Sequence, residues 1–100
     1  MTIEEVRDGG TIQLNVSGKI DTITSTDFQN AVLGSFQKCN ILVINFQDVV
    51  YISSSGLRAL VLGQKTAVAK GGSMKIINTN QVVDDVFKVT GFNKMLNIEK

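Results

Sequence analysis

The chain has no histidine, no tryptophan and no proline, and its 100 residues include a single cysteine, Cys39. Each absence removes a class of chemistry. Without an imidazole there is no proton acceptor for a Ser-His-Asp or Cys-His nucleophile. A zinc site would need several thiolates or imidazoles, and the sequence has one thiol. That thiol cannot form an internal disulfide. Placed just before an apolar run, Cys39 reads as a small buried or half-buried hydrophobe in a reducing compartment. No GxxxxGK[ST] or GxGxxG loop follows any strand-like run, which removes the common phosphate cradles. Neither sign of charge dominates: 10 basic and 9 acidic residues leave a net charge of +1, which offers no electrostatic footprint for nucleic acid or an anionic membrane. The opening MTIEEVRDGG lacks a basic segment followed by an apolar one, and no window approaches a membrane span. A cytoplasmic protein without membrane insertion, resident cofactor or metal is expected.

What is present suits a compact core. With 43% hydrophobic residues, residues 1–100 are expected to form a single domain without staples. Ile3 to Val6 and Thr11 to Val16 flank Asp8, Gly9 and Gly10, and Ile12, Leu14 and Val16 alternate with polar neighbours, the pattern of an opening β-hairpin. Phe28, Ala31, Val32 and Phe36 recur at helical spacing and predict a helix over about 25–38, capped by Thr22 or Thr24. The run ILVINF at 41–46 predicts a central strand covered on both faces. Leu57, Leu60, Val61, Gln64 and Val68 form the stripe of a second helix that ends at Lys70, Gly71 and Gly72. Met74 to Ile77 predicts a strand, and Asn80 caps a third helix with Val82, Val83, Val86, Phe87 and Thr90 inward, stopped by Gly91. A last short strand is expected around 95–98. Strands and helices alternating after a hairpin define an α/β fold with crossover helices.

One stretch stands apart from this pattern. DVVYISSSGLRAL, Asp48 to Leu60, sets three consecutive serines and a glycine where a strand turns into a helix. The first N–H groups of a helix are unpaired and carry about half a positive charge. One serine suffices to cap them, and the same N–H groups would stabilise a phosphate carried on a neighbouring hydroxyl. Arg58 follows Ser54 by one helical turn, within reach of that phosphate or of an acidic partner. Gly56 would leave the surface bare for a close approach. A redundant N-cap and a modification site both fit these residues.

VSGKID at 16–21, ILVINFQDV at 41–49, YISSSGLRAL at 51–60 and GGSMKIIN at 71–78, in this order, resemble the STAS domain family, and within it the anti-sigma factor antagonists of bacteria. The likeness runs from Ile3 to Ile98. It implies a STAS fold: a mixed β-sheet opening with a β-hairpin, with helices packed on the sheet. It also implies that Ser54 is a phosphoacceptor, with Ser53 at a position where many members carry aspartate. Ser55 and Gly56 then hold the small positions that follow. Because that aspartate is missing, Ser53 and Ser55 are alternative acceptors.

The implied mechanism is partner switching, in which the STAS protein is substrate and switch and is not itself an enzyme. The unphosphorylated form binds an anti-sigma factor that is also a GHKL-type serine kinase and so frees the target it held. Phosphorylation ends the association, and a PP2C-type phosphatase restores it. Asp21 and Thr22, near the end of the strand before the first helix, join Ser53, Ser55, Gly56 and Arg58 on the expected partner surface. Capping of the first helix by Asp21 and Thr22, with Gly18 as a bend, is the alternative role for that segment. Asp84 and Asp85, adjacent on the third helix, point about 100° apart and are expected on a solvated face, not as a catalytic pair. A second functional class keeps the fold without phosphorylation: a STAS scaffolding module in a signalling or transport assembly.

Overall fold

The computed structural model describes residues 1–99. Its order is β1 (Thr2–Asp8), β2 (Thr11–Ile20), α1 (Ser25–Ser35), β3 (Ile41–Ile52), α2 (Ser54–Ala69), β4 (Ser73–Ile77), α3 (Gln81–Thr90), a 3-10 turn (Phe92–Lys94) and β5 (Ile98–Glu99). The strands form one five-stranded sheet in the order β1-β2-β3-β4-β5. β1 and β2 are the antiparallel hairpin, closed by Gly9 at φ +62°, and every later pairing is parallel. Three crossovers step the same way across the sheet, and right-handed crossover connections then put all three helices on one face. The mixed α/β fold expected from the sequence is therefore present.

The core lies between that face and the helices. Ile12, Leu14, Leu42, Ile44, Met74 and Ile76 point into it from three neighbouring strands. Phe46 on β3 sits at its centre, 6.2 Å from the Phe28 ring of α1 and 6.5 Å from the Phe87 ring of α3. Cys39 is buried, as its flanking sequence suggests.

Several details differ from the sequence reading. β3 is covered on one face only: Leu42, Ile44 and Phe46 are buried while Val43 and Asn45 are half-buried and Ile41 is exposed. The uncovered face carries an amide ladder that crosses four segments. Asn15 donates to Glu4 Oε1 at 3.0 Å, Asn45 donates to Asn15 Oδ1 at 3.0 Å, and Asn78 donates to Asn45 Oδ1 at 3.1 Å. α1 ends at Ser35 instead of Lys38, because Gln37 and Lys38 bond back to Gly34 and Ser35 in tighter turns. The last strand starts at Ile98, with the 3-10 turn and an exposed Met95 before it.

On α2, Val68 is exposed and small residues take the inner face: Gly56, Ala59, Gly63 and Ala67 are buried with Leu57 and Leu60. The reason is close packing. A methyl group on Gly63 would lie 2.7 Å from Val32 Cγ1 and 2.9 Å from Met74 Sδ, so α2 presses between α1 and the sheet where larger side chains do not fit. On α3, Val83 and Phe87 are buried while Val82 and Thr90 turn outward. Asp84, expected in solvent, is buried in the first turn, where the helix dipole favours a carboxylate.

β3 is also longer than expected, and the extra length matters. Asn15 pairs with Asn45 but Ser17 with Asp48, and Gly18 pairs with Val49 but Lys19 with Tyr51. Each shift is a bulge that absorbs one extra β3 residue. Inward side chains then recur as Phe46, Val49 and Ile52, and Ile52 arrives level with Ile20 at the end of β2.

The tightest glycine lies at the other end of the sheet. Ser73 N–H donates to the Asn40 carbonyl at 2.8 Å, and a methyl group on Gly72 would overlap that same backbone oxygen. Gly72→Ala should destabilise the protein by about 3 kcal/mol, since the backbone must move. Gly10→Ala, whose methyl group meets nothing within 4 Å, should change stability by less than ~1 kcal/mol. Urea denaturation of the two variants checks the contrast.

Candidate functional site

Because Ile20 and Ile52 end level, the residues that follow them lie side by side at the carboxyl edge of the sheet, where open α/β folds place their sites. Ser53 N–H donates to the Ile20 carbonyl at 2.8 Å, extending the pairing by one bond. This brings Asp21 and Thr22, which follow β2, next to Ser53 and Ser54, which follow β3; neighbouring strands are ~4.8 Å apart.

The three serines have different environments. Ser53 leaves the strand in an extended conformation (φ −88°, ψ 173°), and its Oγ accepts the Gly56 N–H at 3.3 Å. It is the N-cap of α2, with only 9% of its surface exposed. Ser54 is the first residue of the helix and is exposed; among the described residues no hydrogen bond holds its hydroxyl. Ser55 is half-buried.

Gly56 does not leave the surface bare. It is buried, and a methyl group there would lie 2.7 Å from both Ile20 Cγ2 and Ile52 Cγ1. Its missing side chain makes room for the protein's own strand ends, so the bare-surface explanation does not hold. Arg58 is exposed on the same side of α2 as Ser54, and the ion pairs among the described residues, Lys38 with Glu5 and Lys75 with Glu99, leave it out.

The loop between β2 and α1 is tied by Asp21. Its Oδ1 accepts the N–H groups of Ile23 and Thr24, each at 2.9 Å. Thr24 Oγ1 in turn accepts the Asp21 N–H at 2.9 Å and donates to the Lys19 carbonyl at 2.9 Å. Thr24 occupies the N-cap position of α1 without capping it through its side chain; Thr22 is exposed, and its carbonyl accepts the Ser25 hydroxyl at 3.4 Å. The bond from Thr24 N–H, the leading cause, holds the Asp21 carboxyl below its ordinary value of 3.8. The site therefore keeps one fixed negative charge beside an exposed hydroxyl and an unpaired guanidinium. Ile23, 85% exposed in this same loop, escaped the sequence reading because an isolated isoleucine between threonines follows no period.

The exposed Ser54 hydroxyl thus stands at the mouth of α2, where unpaired backbone N–H groups and the helix dipole favour an anion. The STAS domain family model matches residues 2–100, and the chain belongs to that family. Its relatives include the anti-sigma-B factor antagonist of Bacillus subtilis, 29% identical over 87 residues that cover 87% of this chain and 80% of that protein. The fold is also that of an anti-sigma factor antagonist from Mycobacterium paratuberculosis, with TM-score 0.86, 21% identity, and coverage of 98% of this chain and 84% of that one. The Bacillus cell fate determinant SpoIIAA, solved in its phosphorylated form, superposes with TM-score 0.76 at 14% identity, covering 99% and 92% of the two chains.

Removing the buried cap should matter most for stability. Ser53→Ala is expected to cost about 1 kcal/mol, against less than ~0.5 kcal/mol for Ser54→Ala, as read by urea denaturation. Asp21 adds a pH signature. A folded-state pKa below the unfolded one gives stability that is present above 3.8 and lost as pH falls through the folded value. Thermal melts should show wild type ahead of Asp21→Ala at neutral pH, with the gap closing in acid.

Proposed function

We propose that this protein is an anti-sigma factor antagonist that acts in the cytoplasm by partner switching, with Ser54 as the phosphoacceptor. The observation that carries the reading is the separation of tasks at the helix start. Ser53 is committed to the cap, while Ser54, one residue on, is exposed with a free hydroxyl. The B. subtilis relative that bears the antagonist name supports the partner class, and SpoIIAA supplies a case of this fold in phosphorylated form.

In the unphosphorylated state, the surface formed by Asp21, Thr22, Ser54, Ser55 and Arg58 binds an anti-sigma factor that is also a GHKL-type serine kinase. Binding frees that partner's target. The kinase then transfers the γ-phosphoryl group of ATP to Ser54 Oγ, whose proton is lost as the oxygen–phosphorus bond forms and ADP leaves. A phosphate adds about −1.5 to −2 charges to a contact made around a neutral hydroxyl, close to the ionised Asp21. A penalty of about 3 kcal/mol would weaken binding roughly a hundredfold. The helix N-terminus tolerates the phosphate within the free protein, so the fold need not change. A PP2C-type phosphatase resets the switch, and the catalysis belongs to the partners.

Ser54→Ala should bind the cognate kinase at all times and Ser54→Asp should bind at least ~30-fold more weakly. Titration calorimetry with the kinase retained by immobilised Ser54→Ala protein gives the comparison. Equal affinities would remove Ser54 from the switch.

A further inference from the structure

A groove of about 350 Å³ runs across the outer surface of α2, beyond the serines. Its floor is apolar: Val61 and Leu62 from α2, and Phe92 and Met95 from the 3-10 turn region. Leu62 is 38% exposed and Met95 53% exposed, so two flexible apolar side chains face solvent there. Arg58 and Lys65 form its rim, and among the described residues no acidic side chain lines it. Neither cation takes part in an ion pair among the described residues.

We propose that this groove docks a segment of the partner whose apolar side chains fill the floor and whose carboxylates meet Arg58 and Lys65. The proposal rests on the antagonist reading above and names a second contact of the same interface. An apolar centre with a charged rim is the usual anatomy of a protein interface, and a groove on a helix surface suits an amphipathic helix. Charge selects among occupants. A two-fold dimer through this face would bring the same two cations against each other, whereas an acidic segment pairs both. Position links the groove to the switch, because Arg58 belongs to the rim and also stands one turn from Ser54. A phosphate on Ser54 competes for the same guanidinium, so modification withdraws one rim cation while adding charge at the helix mouth.

The test is the affinity of the purified cognate anti-sigma factor for wild type, Lys65→Gln, Lys65→Glu, Met95→Ser and, as a control on α3, Val89→Ser, which is 87% exposed. Circular dichroism melts first establish that each variant is folded. Lys65→Glu is expected to weaken binding at least tenfold, mostly through a slower on-rate and a flatter salt dependence, with Lys65→Gln between it and wild type. Met95→Ser should weaken binding through a faster off-rate, and Val89→Ser should match wild type. If wild type binds and the groove variants bind equally well, the groove is excluded while the antagonist reading stands. If wild type does not bind, the reading fails and this proposal with it. Tight binding of wild type to anionic lipid vesicles, lost in Lys65→Glu while anti-sigma binding is unchanged, would assign the groove to a membrane surface and overturn the proposal.

Discussion

The site depends on how β3 pairs with β2. Twelve residues of β3 are laid against ten of β2, and two bulges absorb the difference. Their effect is to bring Ile52 level with Ile20, so that Ser53 N–H can close onto the Ile20 carbonyl. That bond fixes where the strand stops and where α2 begins. Gly56 completes the junction, since only a residue without a side chain lets the first turn of α2 settle on Ile20 and Ile52. A one-residue slip in β3 would bury the wrong serine and turn the cap away from its N–H group.

From this constraint follows the unequal use of three identical side chains. Burial and a cap bond occupy Ser53, and the next residue along the helix is turned to solvent beside Asp21 and Arg58. An aspartate at position 53 would also serve as an N-cap, so serine there keeps the structural role without adding a charge. Asp21, from the neighbouring strand end, supplies a carboxylate to the same edge of the sheet. The uncovered sheet face, occupied by an amide ladder, takes no part in this arrangement.

Element types were legible because hydrophobic spacing reports them. The hairpin, the alternation of helix and strand, and the caps at Asn80 and Gly91 all appear in the structure. Long-range consequences were not legible. The bulges depend on the pairing of two distant strands, and they lie beyond the apolar run at 41–46. The inner face of α2 is lined by glycine and alanine, which hydropathy ranks below the exposed Val68. At the site, the serine cluster and its place at a helix start could be read directly, and Arg58 with them. Which serine caps the helix could not be, because the choice is made by the register at Ile20 and Ile52. The groove residues Leu62, Lys65, Phe92 and Met95 come together only in three dimensions.

The most direct test of the proposed switch is to look for a phosphate after the wild-type protein is incubated with ATP and the kinase that the proposed function calls for. Fragment-ion mass spectrometry of the peptide spanning the three serines distinguishes adjacent positions. One phosphate is expected, on Ser54. Phosphate on the buried Ser53, or an unmodified peptide after full exposure to an active kinase, would contradict the proposed switch.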